Sequence, residues 1–266
     1  MTNYTDIAVS RDGHVMTVEI QRPPNNFFDF SLIGQIADAF KEADDDPECR
    51  AVVLAAKGKH FCAGANFGSG KDDDSGSRDF SEEGFRNTTG KLYREAVRLF
   101  GNTKPVVGAI HGAAIGGGLG LALVPDFRVA CPEARFAANF VKLGIHQGFG
   151  LSVTLPRLVG QQAANLMLLT GRRVGGEEAL AMGLVDVLTD QDKVREEALR
   201  LAHEIAENAP LAVKSVRATL RAGLAEQVRQ ATEHELAEQQ WLRATDDAQE
   251  GIRAVAERRP GNFKAR

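Results

Sequence analysis

The 266-residue chain has little cysteine, no excess of positive charge and no leader-like start, and each shortage removes a class of protein. Its three cysteines, Cys49, Cys62 and Cys131, are odd in number and lack C-x-x-C spacing. They outline neither a disulfide framework nor a structural zinc site. Lysine and arginine number 32 against 36 acidic residues, a net charge of −4, so there is no electrostatic footprint for nucleic acid. The start Met1-Thr2-Asn3-Tyr4-Thr5-Asp6 has no basic segment followed by an apolar run, which leads us to expect a cytoplasmic protein. In that compartment the sequon Asn87-Thr88-Thr89 is a chance match. Residues 106–125 carry no charge, but they hold His111 and six glycines. That stretch reads as a buried strand, a tight turn and a helix start, with no membrane contact expected.

Ordinary globular content fills the rest, with 43% hydrophobic and 26% charged residues, enough chain for a full core without staples. Glycine is the surplus: 27 residues, about a tenth of the chain, against an average near 7%. Strand and helix patterns alternate over the first 190 residues or so. His14–Ile20 alternates as a half-buried strand, Ser31 can cap a helix through Phe40, and Arg50–Ala56 is a short apolar strand. Gly68–Gly90 is too hydrophilic for a core and reads as a lid or surface loop. A helix near Lys91–Gly101, a strand at Val106–Ile110, the glycine turn and a helix through Leu123 follow. Further candidates are a strand at Asp126–Cys131, helices at Ala164–Thr170 and Glu177–Met182, and a strand at Leu184–Leu188. Beyond about Gln191 only helical patterns remain. The expected organisation is an α/β core over 1–195 and a helical oligomerisation region over 196–266.

The glycine turn, Gly112-Ala113-Ala114-Ile115-Gly116-Gly117-Gly118-Leu119-Gly120, joins a strand to a helix. It lacks the lysine of a phosphate-binding P-loop, and Leu121 and Leu123 break the dinucleotide spacing. Two readings stay open for it. The glycines either let strand and helix pack closely, or they bare backbone N–H groups as an oxyanion hole. His203-Glu204 and His234-Glu235 begin HExxE rather than HExxH patterns and read as solvated helix faces, so no metal site is expected. Gly150-Leu151-Ser152-Val153-Thr154 lacks the second glycine of a nucleophile elbow.

Several segments, in order, are similar to those of one family. They are Arg22-Pro23-Pro24-Asn25-Asn26, Lys59-His60-Phe61-Cys62-Ala63-Gly64-Ala65-Asn66-Phe67 and Ile110-His111-Gly112-Ala113-Ala114-Ile115-Gly116-Gly117-Gly118. Leu169-Thr170-Gly171-Arg172, Glu178–Val185, Ala209-Pro210-Leu211-Ala212 and Glu257–Phe263 continue the series. Together they make the chain resemble the crotonase superfamily, the enoyl-CoA hydratase/isomerase family, over nearly its whole length. The resemblance implies an α/β crotonase-type spiral of repeated ββα units with C-terminal helices that trimerise, hence a homotrimer or homohexamer. It implies an acyl-CoA thioester as partner, with coenzyme A as part of the substrate and no tightly bound cofactor. It places the two oxyanion N–H groups at Ala65 and Gly117, where losing one donor typically lowers the rate by about 10²–10³. Arg22, Lys59, Ala63 and Asn66 become candidates for holding coenzyme A, the two cations through its phosphates or simply as solvated surface. Phe263 and Lys264 could reach a neighbouring subunit's coenzyme A, as the family's tail does.

One departure matters. The hydratases' two glutamates fall here at Gly120 and Phe140, and the acid of related isomerases and dehalogenases falls at Gly148. Paired acids are what acid–base hydration requires. The nearest titratable residue is His146, which is either the proton-transfer group or an ordinary loop residue. The expectation is therefore an acyl-CoA-binding member of the family that stabilises a thioester enolate but hydrates weakly. The alternative is a non-catalytic acyl-CoA carrier on the same fold.

Overall fold

The computed structural model describes residues 3–65, 84 and 87–266. The chain opens with β1 (Ile7–Asp12) and β2 (Val15–Ile20), an antiparallel hairpin whose turn places Gly13 at φ 54°. That left-handed conformation is what a two-residue hairpin loop demands. From β2 the sheet grows in parallel through β3 (Ala51–Ala56), β4 (Val106–Ile110), β6 (Phe127–Ala130) and β9 (Val187–Leu188). β3, Ala-Val-Val-Leu-Ala-Ala, is buried along its whole length, as a parallel strand covered on both faces should be. A second sheet pairs β7 (Arg135–Ala137) in parallel with β5 (Ala113–Ile115) and antiparallel with β8 (Arg173–Gly175). The two backbone bonds Cys62 N–H to Ala113 O (3.0 Å) and Ile115 N–H to Cys62 O (3.1 Å) join the segment after β3 to β5.

Nine α-helices lie among the described residues. α1 (Phe30–Asp45) buries Leu32, Ile33, Ile36 and Phe40 at helical spacing. Its cap is Asp29, which accepts from Leu32 N–H at 2.9 Å; the expected cap, Ser31, instead donates its hydroxyl to Asp6. A serine already inside the first turn cannot serve the N–H groups beside it. α2 (Thr89–Phe100) packs on α1, and α3 (Gly117–Ala122) is buried throughout. α4 (Leu151–Thr170), α5 (Gly176–Ala181) and α6 (Val194–Ala206) follow, with α6 lying across β3, β4 and β6. α7 (Pro210–Leu220), α8 (Leu224–Leu242) and α9 (Asp246–Ala256) end the fold. α8 packs on α2 and α4. α9 packs on the 3₁₀ turn Asn139–Leu143, where a Cβ at Gly251 would fall 2.4 Å from the Leu143 carbonyl carbon.

Asp126 links α7 to the end of the sheet. It accepts from Val106 N–H (2.8 Å), Arg217 Nε (2.7 Å) and Arg221 Nη1 (2.9 Å). Among the described residues no helix is long and apolar enough to cross a membrane, and no group of acidic, histidine or cysteine side chains could hold a metal ion.

Candidate functional site

A cavity of about 380 Å³ opens where the segments 27–28, 63–65, 115–117 and 139–149 meet α2, α8 and α9. Its wall is mostly apolar, with Phe27, Phe28, Phe140 and Phe149 facing Leu92, Ile145 and Ile252. The polar residues in the wall are Thr89, Tyr93, Asn139, Arg173, Gln239 and Arg243. Among the described residues that line it there is no aspartate, glutamate or histidine.

Backbone approach shapes one side. Gly64 stands at φ 89°, and a Cβ there would meet Ile115 O at 2.7 Å and lie 4.0 Å from Gly117 N. Two backbones thus touch where side chains would hold them apart, with Ala65 and Gly117 both on the cavity wall. Gly116, at φ 58° and ψ −123°, turns the chain from β5 into α3. Gly117 is the first residue of that helix, so its N–H has no acceptor inside it. A Cβ on Gly117 would sit 2.3 Å from the tip of the Phe28 ring, so any larger residue would have to displace that ring.

Asn26 fixes the segment that carries Ala65. Fully buried, it donates from Nδ2 to Lys57 O (2.8 Å) and His60 O (2.7 Å) and accepts from Arg22 N–H (3.0 Å). The Arg22 guanidinium itself is shared between Asp6 (2.7 Å) and Asp29 (2.6 Å), and its hydrogen bond holds the Asp6 carboxyl below the usual carboxylate range. Lys59 is exposed on the turn. Ala63 lines the cavity and donates its N–H to Asn25 O at 2.9 Å. Asn66 lies outside the described residues, as does most of the hydrophilic stretch after it, including Asp72, Glu82 and Glu83. The C-terminal tail folds back on its own α9. The Lys264 and Ala265 N–H groups both donate to the Asp247 carboxylate (2.6 and 2.7 Å), leaving Phe263 44% exposed.

The three positions that lack an acid are filled in different ways. A Cβ at Gly120 would come within 2.7 Å of Phe149 Cβ and Cδ1, so the phenylalanine occupies the space beside it. Phe149 takes a left-handed φ of 62°, is 1% exposed, and tilts against Phe28 at 5.7 Å between ring centres. Phe140 is part of the wall. A Cβ at Gly148 would fall 1.8 Å from the Tyr93 hydroxyl and 2.7 Å from Gln239 Nε2. His146 is not among the lining residues. Its Nδ1 lies 2.8 Å from Gln147 O, and its ring stands edge-on to His234 at 5.9 Å.

Glu235 corrects a sequence expectation. Placed on a solvated helix face by its HExxE pattern, it is fully buried and accepts from Gly150 N–H (2.8 Å) and Ser152 N–H (3.0 Å). Burial pushes its pKa up, while the bonds from the 150–152 backbone and Ser152 pull it back. The signal that could have found it is the stripe Val228, Thr232, Glu235, Gln239, buried at spacings of four, three and four. Tyr93, Gln239 and Phe149 carried no motif, because only the tertiary fold brings them together.

A family model described as enoyl-CoA hydratase/isomerase matches residues 10–266. A carnitinyl-CoA dehydratase of Salmonella typhi is 33% identical over 263 residues, covering 97% of this chain and 98% of that protein. Among solved structures, an enoyl-CoA hydratase/isomerase from Pseudoalteromonas atlantica T6c superposes with a TM-score of 0.84 at 30% identity. That match covers 98% of this chain and all of the other. An enoyl-CoA hydratase from Mycobacterium avium subsp. paratuberculosis K-10 gives 0.82 at 27% identity, with the same coverage of each chain.

Proposed function

The chain belongs to the enoyl-CoA hydratase/isomerase family, and from that premise we propose that it binds an acyl-CoA thioester with the acyl group in the aromatic-walled cavity. The thioester oxygen accepts from the N–H groups of Ala65 and Gly117. The observation that carries this reading is the backbone contact of Gly64 with Ile115 and Gly117 at the cavity wall. Fixed donors in a water-poor pocket stabilise the negative charge an enolate places on that oxygen.

Standard hydration in this family uses a pair of carboxylates to hold water and move protons, and the described wall holds no carboxylate or imidazole. The ring of Phe149 beside Gly120, and Phe140 in the wall, support weak hydratase activity. The acid-free wall also favours a second reading, an acyl-CoA carrier without turnover. The exposed Leu211, Val216 and Leu220 of α7 support assembly as a homotrimer or homohexamer. The test is crotonyl-CoA hydration beside calorimetric titration with butyryl-CoA. We expect micromolar binding and slow hydration. Turnover above about 10² s⁻¹ contradicts the proposed chemistry, and binding with no turnover of any acyl-CoA selects the carrier.

A further inference from the structure

The small sheet β5–β7–β8 has two unlike faces. Ala114, Phe136 and Val174 stand side by side across its strands, and all three are buried. Side chains alternate along a strand, so Ile115, Ala137 and Arg173, also side by side, share the opposite face. Ile115 and Arg173 both line the aromatic-walled cavity, which turns that face toward the ligand. The segment carrying Ala65 joins β5 along its other edge, through the pairing of Cys62 with Ala114. Across the wall the order is therefore 62–65, β5, β7, β8, with the oxyanion backbone on one side and Arg173 at the far edge. Neighbouring strands lie about 4.8 Å apart, so two spacings set Arg173 roughly 10 Å from Ile115.

The charge at that far edge is unbalanced. Arg172 pairs with Glu178 at 2.9 Å, but the guanidinium of Arg173 has no ion pair or hydrogen bond among the described residues and is exposed. Arg243, the other guanidinium of the wall, has partners of its own. No aspartate or glutamate is among the described residues of the wall.

We propose that Arg173 receives a carboxylate at the end of the acyl chain, making ω-carboxyacyl thioesters, the half-thioesters of dicarboxylic acids, the preferred ligands. The inference rests on the reading of the cavity as an acyl-CoA site. With the thioester oxygen on Ala65 and Gly117, a short chain running across the sheet carries its last carbon toward Arg173. A guanidinium offers a planar fork of N–H groups that matches a carboxylate, and the bonds are charge-assisted. A terminal methyl offers it nothing. Arg173 already stands in water and loses little hydration when the carboxylate arrives, so the preference is moderate and weakens with salt. The phosphates of coenzyme A are anionic too. Lys59 lies on the segment at the opposite side of the wall, which leaves the far edge to the acyl end.

The experiment is calorimetric titration of the full chain with glutaryl-CoA and with pentanoyl-CoA, which have the same carbon count and differ in the terminal carboxylate. Both titrations are repeated for Arg173→Gln, a change at an exposed side chain. The proposal expects glutaryl-CoA to bind about fivefold more tightly to the parent protein. In Arg173→Gln that ratio should fall toward one while the pentanoyl-CoA affinity holds. Equal affinities in the parent protein overturn the proposal, and so does a preference that survives in the variant. A variant in which both affinities drop alike also overturns it, since Arg173 then serves the coenzyme A phosphates. Failure to bind either thioester is a different result: it defeats the acyl-CoA reading itself, and this inference with it.

Discussion

Putting a single methyl group at position 120 tests whether Phe149 truly closes that place. In Gly120→Ala the new Cβ would lie 2.7 Å from Phe149 Cβ and Cδ1 and 2.8 Å from Cγ. Comfortable carbon–carbon contact begins near 3.5 Å, so about 1 Å of movement is required. The contacted atoms are at the backbone end of the ring, not at a free tip. Phe149 is 1% exposed, packed on Phe28, and followed by a Gly150 N–H held on Glu235. Overpacking such a site costs about 2 kcal/mol, within the usual range of about 1–3. For a chain of this size that lowers Tm by roughly 4–8 °C. Phe149→Gly removes the obstacle at a cost of about 3–5 kcal/mol in packing, offset by about 1 kcal/mol because a Cβ at φ 62° is itself unfavourable. In that background Gly120→Ala should cost nothing, and alanine can gain about 0.5 kcal/mol inside helix α3. The cycle, read by denaturant unfolding followed by circular dichroism, should give a coupling energy of about 2 kcal/mol. A neutral Gly120→Ala in the parent protein refutes the reasoning, because the ring then yields and an acid could be housed there.

Two further expectations follow from buried charges. Glu235 has its folded pKa raised above the unfolded value of 4.5, so its contribution to stability is full below that value and declines as pH rises through the folded pKa. The stability difference between the parent and Glu235→Gln should therefore shrink as pH rises above about 4.5 in denaturant melts; a difference that widens contradicts the assignment. Asp126→Ala leaves the buried guanidiniums of Arg217 and Arg221 without their carboxylate and should destabilise by about 3–5 kcal/mol, whereas less than about 1 in the same assay would show Asp126 dispensable.

Much of the sheet was legible because β2, β3, β4 and β6 run four residues or more, long enough to show alternation or a continuous apolar run. The strands β5, β7 and β8 were not, since three residues cannot display a period, and β5 lies inside the glycine turn itself. The cap of α1 is Asp29 and not Ser31, two residues later, because both are capping types and only geometry separates them. At the candidate site the sequence singled out Gly64, Ala65 and Gly117 by motif, and the fold sets all three on the cavity wall. It also marked Gly120, Phe140 and Gly148 as positions without acids, but not what replaces them. Phe149 and Tyr93 come from separate segments whose meeting is a property of packing, and Gln239 sits on a helix face that reads as polar. Motif order located the backbone of the site, while its side-chain chemistry depended on contacts between distant elements.

The most direct test of the central claim removes the thioester carbonyl from the ligand and leaves the protein untouched. Butyryl-CoA and its thioether, S-butyl-CoA, differ only by that oxygen. If the N–H groups of Ala65 and Gly117 hold it, two hydrogen bonds worth about 0.5–1.5 kcal/mol each are lost, and the thioether binds about tenfold more weakly by calorimetry. Equal dissociation constants for the pair would contradict the account.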